Sequence, residues 1–453
     1  YYRDASVIPL LTAMTVTLAA GGALLGAFRQ HKTDHINQRE GMGIVTLSWI
    51  SVGFFGALPF FLAPEGLGFT DAIFESVSGF TTTGASVLTN IEGLPRGLLM
   101  WRSFIQWLGG MGIIVLSIAI LPLVGVGGMQ LYKAEVPSPV PDKLKPRIRD
   151  TAVILWKVYL LFTAIETALL MAAGMSFFDA LCHAFTTLPT GGFSTRNASV
   201  AHFQSVPVDV IILVFMLLAG VNFSLHYQLL RGRPLAFWRD AECRFYLGVV
   251  LSLTLVISID TYREVYASAF DALRYSAFQV VSIVTTTGFA TADYEQWPAM
   301  SQLIIFFCMF LGASAGSTGG GMKCLRIMLC IKYGYKELFG LVHPHAVSYI
   351  KIGGKPVPSE VIHSILGFLA LYIGLFVLAT ILLGALGVDF TTALGATASA
   401  IGNIGPGFGQ VGPVENYAQI PAMGKWLLAW CMLLGRLEVY TVIILLVPEF
   451  WRP

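Results

Sequence analysis

Charge is scarce in this 453-residue chain. Asp, Glu, Lys and Arg make up 12% of it, against 55% hydrophobic residues and a mean hydropathy of +0.72. A soluble domain carries about twice that share of charge, so the composition argues against one and for a membrane protein. Cysteine is scarce as well. Cys182, Cys243, Cys308, Cys324, Cys330 and Cys431 form no CxxC pair and lie in or beside apolar stretches, which favours packing over metal or redox work. HExxH, GxSxG and paired carboxylates at helical spacing are missing, and no GxGxxG follows a strand. An enzyme is thereby disfavoured, and no bound cofactor or nucleic-acid partner is expected. No signal-peptide pattern opens the chain, which starts at Tyr1 rather than Met, so further residues are expected before it.

Long apolar sequence is what the chain has in quantity. Runs able to span a bilayer, which takes about 20 residues, occupy 7–28, 43–62, 98–128, 152–174, 207–230, 245–259, 361–386 and 421–447, with a shorter pair at 300–311 and 322–331. Basic residues gather in alternate loops: Arg29, Lys32 and Arg39; Lys133, Lys143, Lys145, Arg147 and Arg149; Arg231, Arg233, Arg239 and Arg244; then Lys332, Lys336, Lys351 and Lys355. The positive-inside rule assigns these four loops to the cytoplasm. The intervening loops then face outward. They carry Asp71, Glu75, Glu92, Asp179, Asp260, Glu264, Asp271, Asp293, Glu295 and Glu415. Together these acids form a rim that would concentrate cations, although singly most read as solvated loop residues.

Each outward loop contains a related core, repeated at roughly one-hundred-residue intervals. The cores are Thr82-Thr83-Gly84, Thr190-Gly191, Thr286-Thr287-Gly288 and, in weaker form, Asn403-Ile404-Gly405. Upstream of each lies an Asp in N-cap context, at 71, 179, 271 and 389, which predicts a short helix of about 11–14 residues. Such a helix crosses only part of a bilayer and turns its negative end inward, toward a cation. Irregular backbone at that depth is tolerated where it lines a cavity. Successive carbonyls face one ion only in conformations that glycine adopts freely, and the preceding threonines can add hydroxyl ligands. Four such segments could wall a cation pore. Thr82, Thr83, Gly84, Thr190, Gly191, Thr286, Thr287, Gly288, Asn403, Ile404 and Gly405 are therefore the candidate ion ligands.

These residues resemble the Trk/Ktr/HKT superfamily of potassium transporters. Further matches are Gln106-Trp107-Leu108-Gly109-Gly110-Met111-Gly112 and Gly316-Ser317-Thr318-Gly319-Gly320-Gly321-Met322-Lys323. The resemblance runs over essentially the whole chain. It implies an all-α, polytopic membrane protein of four membrane–pore-loop–membrane repeats around one central pore, preceded by an extra N-terminal helix. The expected units are 1–40 for that helix, then 41–130, 131–240, 241–350 and 351–453. The family pattern also implies potassium as the transported ion, a bacterial inner-membrane location, a homodimer in lipid with one pore per protomer, and control by a cytosolic TrkA-type nucleotide-binding ring on the basic loops. Sodium-conducting plant members carry Ser at the first filter position, so Gly84 favours potassium. Asn403 and Pro406 depart from the Thr-Gly norm, which implies unequal walls and moderate selectivity.

Residues 312–321 place five glycines in ten positions where the second spanning helix of the third unit should run. Glycine costs about 1 kcal/mol in a helix interior, so the helix should break. The stretch reads either as a cytoplasmic linker or as an intramembrane loop, Gly316 to Gly321, that obstructs ions. Spacing favours the loop, because 300–311 alone covers about 18 Å. Arg436 falls near mid-membrane in the last span and Lys323 directly follows the loop; both are candidate gating cations, and in the family an arginine at this place sits below the filter. Glu166, Asn222 and His226 read as polar residues pairing between helices. Two transport modes remain: passive permeation, and proton- or sodium-coupled symport. Coupled transporters commonly use inverted repeats, whereas these Thr-Gly segments share one side of the basic loops, which favours the pore.

Overall fold

The computed structural model describes residues 4–29, 38–64, 66–119, 148–346 and 348–452. Lys32, Lys133, Lys143, Lys145 and Arg147 of the basic loops lie outside the described residues. The first helix, α1 (Val7–Phe28), packs beside α2 (Gln38–Phe61). Four units of one design follow. Unit 1 comprises α2, short α3 (Phe69–Phe80) and α4 (Arg96–Ala119). Unit 2 has α5 (Ile148–Ala172), short α6 (Phe177–Thr187), then α7 (Val206–Ala219) and α8 (Phe223–Leu230); α9 (Leu235–Arg239) links it onward. Unit 3 has α10 (Ala241–Thr261), short α11 (Ala269–Val284), α12 (Ala299–Cys308) and α13 (Cys324–Val342). A two-residue hairpin at 351–356 precedes unit 4, made of α14 (Ser359–Ala385), short α15 (Phe390–Gly402), α16 (Ala422–Arg436) and α17 (Tyr440–Ile443).

Among the described residues, five helices are long and apolar enough to cross a membrane, and two bent pairs raise that to seven. Their outward faces keep large apolar side chains such as Ile8, Leu25, Ile259 and Ile381 uncovered, as lipid contact demands. The buried apolar residues divide by neighbourhood. One cluster joins units 1 and 4 around Phe74, Tyr372 and Leu428; another joins units 2 and 3 around Tyr246, Phe278 and Phe289. The four short helices supply residues to both clusters, the first and most of the fourth to one, the second and third to the other.

The short helices are 12, 11, 16 and 13 residues long. Three of the four acids do not cap them. Asp71, Asp179 and Asp271 lie in the first turn, behind Gly68, Ser176 and Ser268. An acid three residues past the cap still faces the positive helix end, which is why the pattern marked the right place almost one turn late. Only Asp389 is the cap itself, accepting from Thr392 N at 3.1 Å. The Thr392 hydroxyl first, and then that bond, hold its carboxyl below the usual range.

Second helices break more often than the apolar runs implied. The runs 207–230 and 421–447 each read as one span, yet α7 and α8 meet at 103° and α16 and the 440–446 stretch at 114°. Backbone groups freed at the first bend find partners: Ser314 N donates to Gly220 O (3.0 Å) and Phe223 N to Gly316 O (3.1 Å). The second bend passes through two left-handed residues, Glu438 (φ 59°) and Val439 (φ 49°). For a β-branched residue that conformation is a real strain.

Candidate functional site

Each short helix runs directly into one residue in the left-handed region: Thr82 (φ 53°), Thr190 (57°), Thr286 (59°) and Asn403 (55°). Two residues later stands a glycine of positive φ, namely Gly84 (85°), Gly192 (72°), Gly288 (81°) and Gly405 (107°). The four segments thus share one backbone path, and it corrects the register of the second. Gly191 occupies the place of Thr83, Thr287 and Ile404; the turning glycine is Gly192. Alignment on the first glycine of the Gly191-Gly192 pair hid this.

The glycines close a ring. A Cβ added to Gly84 would overlap the carbonyl oxygen of Gly191, one on Gly192 that of Thr287, and one on Gly288 that of Ile404. Gly405 completes the circuit, with Thr83 O 2.8 Å from where its Cβ would stand. Each segment therefore touches the next in chain order, and the fourth touches the first. Only glycine permits carbonyls this close.

Side chains fix the ring. Gln106 of α4 donates to Gly191 O (2.7 Å) and accepts from Phe193 N (3.1 Å). Thr81 and Thr83 share a hydroxyl contact of 2.7 Å, repeated by Thr285 and Thr287. Asn403 Nδ2 donates to Thr83 Oγ1 (3.0 Å) and Met432 O (2.9 Å). The hydroxyls of Thr83 and Thr287 are thus engaged with protein partners and brace the ring. Gly405 differs from expectation too. Its carbonyl accepts from Ser399 Oγ and Tyr417 Oη, each at 2.7 Å, which commits both lone pairs.

The 309–323 loop is mostly buried, with Gly316 exposed, and is clasped at its neck, where Gly312 N donates to Met322 O (2.7 Å). Gly320 N donates to Thr286 Oγ1 (2.7 Å), and Thr318 Oγ1 donates to Leu188 O (2.8 Å). These contacts join the stretch to segments 2 and 3. Arg436 spans two units, donating to Thr318 O at 2.7 Å and to Gly109 O of α4 at 3.1 Å. Lys323 turns back onto Gly319 O.

Three participants gave no local sequence signal. Fully buried Glu242 accepts from Ala315 N (2.8 Å) and Leu325 N (3.0 Å), holding both roots of the loop. Arg326, just past the loop, pairs with Glu438 and lies 4.1 Å from the Phe368 ring centroid. Glu438 therefore serves Arg326 rather than Arg436. Asn222 makes a local contact, capping Ser224 N (2.8 Å), whereas His226 joins helices: its Nε2 meets Leu218 O of α7 (2.8 Å) and its ring packs on Phe162 of α5. Glu166 is fully buried on α5.

Several rim acids have structural partners: Asp71 with Lys425 (2.6 Å), Asp179 with Arg196 (3.3 Å), and Glu75, which is buried, with Arg102 (2.6 Å). Glu295 accepts from Gly409 N (2.6 Å). Burial first, then the nearby charges of Glu415 and Asp293, raises its carboxyl above the usual range.

The sequence matches the family described as TrkH, cation transport protein, over residues 9–452. It is 44% identical over its whole length to the Trk system potassium uptake protein TrkH of Salmonella typhimurium and 43% identical to that of Escherichia coli, covering 94% of each. The crystal structure of the potassium transporter TrkH from Vibrio parahaemolyticus superposes with a TM-score of 0.91 at 40% identity, over 100% of this chain and 94% of that one.

Proposed function

Because the chain belongs to the TrkH family of cation transport proteins, we propose that it takes up potassium across a bacterial inner membrane, passing K⁺ and Rb⁺ passively and with moderate selectivity. The observation that carries this reading is the closed ring of Gly84, Gly192, Gly288 and Gly405 against the carbonyls of the neighbouring segments. Carbonyls from four walls can replace the hydration shell of one ion. Thr83, Gly191, Thr287 and Ile404 supply them, on the negative ends of four short helices. One relation repeated from segment to segment, with no unit reversed, supports conduction over a symporter built from inverted repeats.

The loop from Gly316 to Gly321 is the gate in this proposal, with Lys323 and Arg436 as its cations. Arg436 ties it to α4, and Glu242 ties its roots to α10. The exposed Arg231, Arg233, Arg239 and Arg244, with Lys351 and Lys355, form the described part of a basic cytoplasmic face for a TrkA-type nucleotide-binding ring. Two protomers, each with its own pore, complete the assembly in lipid.

The test is rubidium and sodium flux into liposomes at imposed potentials, for wild type and Gly84→Asp. Rubidium flux that follows voltage, ignores a proton gradient and vanishes in the variant is expected. Flux that requires a proton or sodium gradient would overturn passive conduction.

A further inference from the structure

Seven residues before the left-handed residue of each segment stand Glu75, His183, Gln279 and Ala396, all fully buried. The first three are polar, and each reaches across to the outgoing limb of its own segment. Glu75 accepts from Ser86 Oγ and Val87 N, both at 3.0 Å. His183 places Nδ1 2.7 Å from Asp179 O, which can only accept, so Nδ1 carries the proton and Nε2 accepts from Ser194 Oγ at 3.0 Å. The Gln279 carboxamide, oriented with its oxygen toward the limb, accepts from Thr291 N (2.8 Å) and Ala292 N (3.2 Å). Three different side chains thus make one kind of contact at one repeat position.

The fourth segment omits it. There the limb rests directly on the short helix, so close that a Cβ on Gly395 would overlap Phe408 N. Tyrosine hydroxyls do the holding instead, Tyr417 on Gly405 O and Tyr294 on Gly407 O, each at 2.7 Å. The first segment goes further. Arg102, 2.6 Å from Glu75, also donates to Ser194 O (2.8 Å) and lies 3.7 Å from the Phe193 ring centroid. A continuous polar chain therefore runs Glu75, Arg102, Ser194, His183 and joins the first wall to the second.

We propose that Glu75, His183 and Gln279 are positioning residues for ion selectivity: each pins the outgoing limb of its segment to its short helix and so sets how far the ring carbonyl can retreat from the axis. Glu75, through Arg102, also sets the spacing between walls 1 and 2. The proposal rests on the reading of the ring as a potassium filter. Losing a brace frees a limb by one or two hydrogen bonds, which widens the ring without abolishing it.

The experiment compares rubidium and sodium flux through the full chain in liposomes for Glu75→Ala, Glu75→Gln, Gln279→Ala and Gly84→Asp. Glu75→Ala imitates the fourth wall and should lower the rubidium-over-sodium ratio roughly threefold or more, as should Gln279→Ala. Glu75→Gln imitates the third wall, keeps an acceptor for the limb and should restore most of the ratio. An unchanged ratio in Glu75→Ala, with flux lost in Gly84→Asp, overturns the brace and leaves the filter standing. Surviving flux in Gly84→Asp overturns the filter itself. Equal losses in Glu75→Ala and Glu75→Gln overturn the limb-holding role. Should Glu75→Ala fail to fold, Gln279→Ala decides, because no ion pair is lost with it, and an unchanged ratio there overturns the proposal.

Discussion

In the first three segments a threonine takes the left-handed turn; in the fourth, Asn403 takes it. The conformation costs a β-branched residue about 1–3 kcal/mol, whereas asparagine visits it readily. The fourth glycine also stands further from its neighbouring carbonyl than the other three, and its own carbonyl is held by two hydroxyls. Three walls are therefore strained and braced from behind, and one is relaxed and tethered from the loop above. A backbone path can be kept constant around a ring while the means of holding it changes from wall to wall.

That contrast can be broken at its strongest point first. Gly192→Ala should cut rubidium flux by at least about tenfold, since left-handed strain alone is worth roughly 1–2 kcal/mol and its Cβ would meet backbone. For Gly191→Ala the nearest atoms are those of the Gln106 side chain rather than backbone, and the residue has no positive φ, so it should cost less; the reverse order in a flux assay would refute the shared register. Arg436→Gln probes what only the fourth unit contributes. It removes two charge-assisted hydrogen bonds, of about 1.5–3 kcal/mol each, and should raise basal rubidium leak at least about tenfold. An unchanged leak sinks Arg436 as the bolt of the gate.

Tyr417→Phe removes one of two donors on Gly405 O. It should shift the rubidium-over-sodium ratio by roughly two- to tenfold, the range of one neutral hydrogen bond. No shift would mean that Ser399 alone tethers the wall. The smallest effect is electrostatic. Glu295 and Glu415 both have raised carboxyl pKa values, burial being the first cause. Raised values mean that the folded protein holds more protons than the unfolded chain just above pH 4.5, so stability falls as pH rises through that window. A melting curve from pH 4 to 7 should show a small decline, flattened in Glu295→Gln; an equal decline in both proteins would assign it elsewhere.

Much of this was legible from residue spacing. Four repeated segments, an acid near the start of each short helix and the glycine-rich break at 312–321 all have local signatures, and the helices follow them. Register within a doublet does not, so Gly192 was hidden behind Gly191. The bends at 220–222 and 437–439 were hidden because the single polar residue at each, Asn222 and Glu438, is flanked by apolar sequence long enough to continue a span. Tertiary contacts left no local mark either: Glu242 meets Ala315 only because unit 3 folds back on itself, and Arg326 meets Glu438 only because units 3 and 4 pack together.

The seam between units 1 and 4 imposes an order on synthesis. Asn403 meets Thr83 across 320 residues and Lys425 meets Asp71 across 354. Until those late residues are inserted, three walls stand with a strained, polar edge and no fourth neighbour. Closure over such sequence distances is slow, so the nascent protein passes through an open, three-sided stage in which the half-buried Asp71 still lacks its lysine. A ribosome that stalled before residue 403 would leave a bundle of well-formed helices and no aperture.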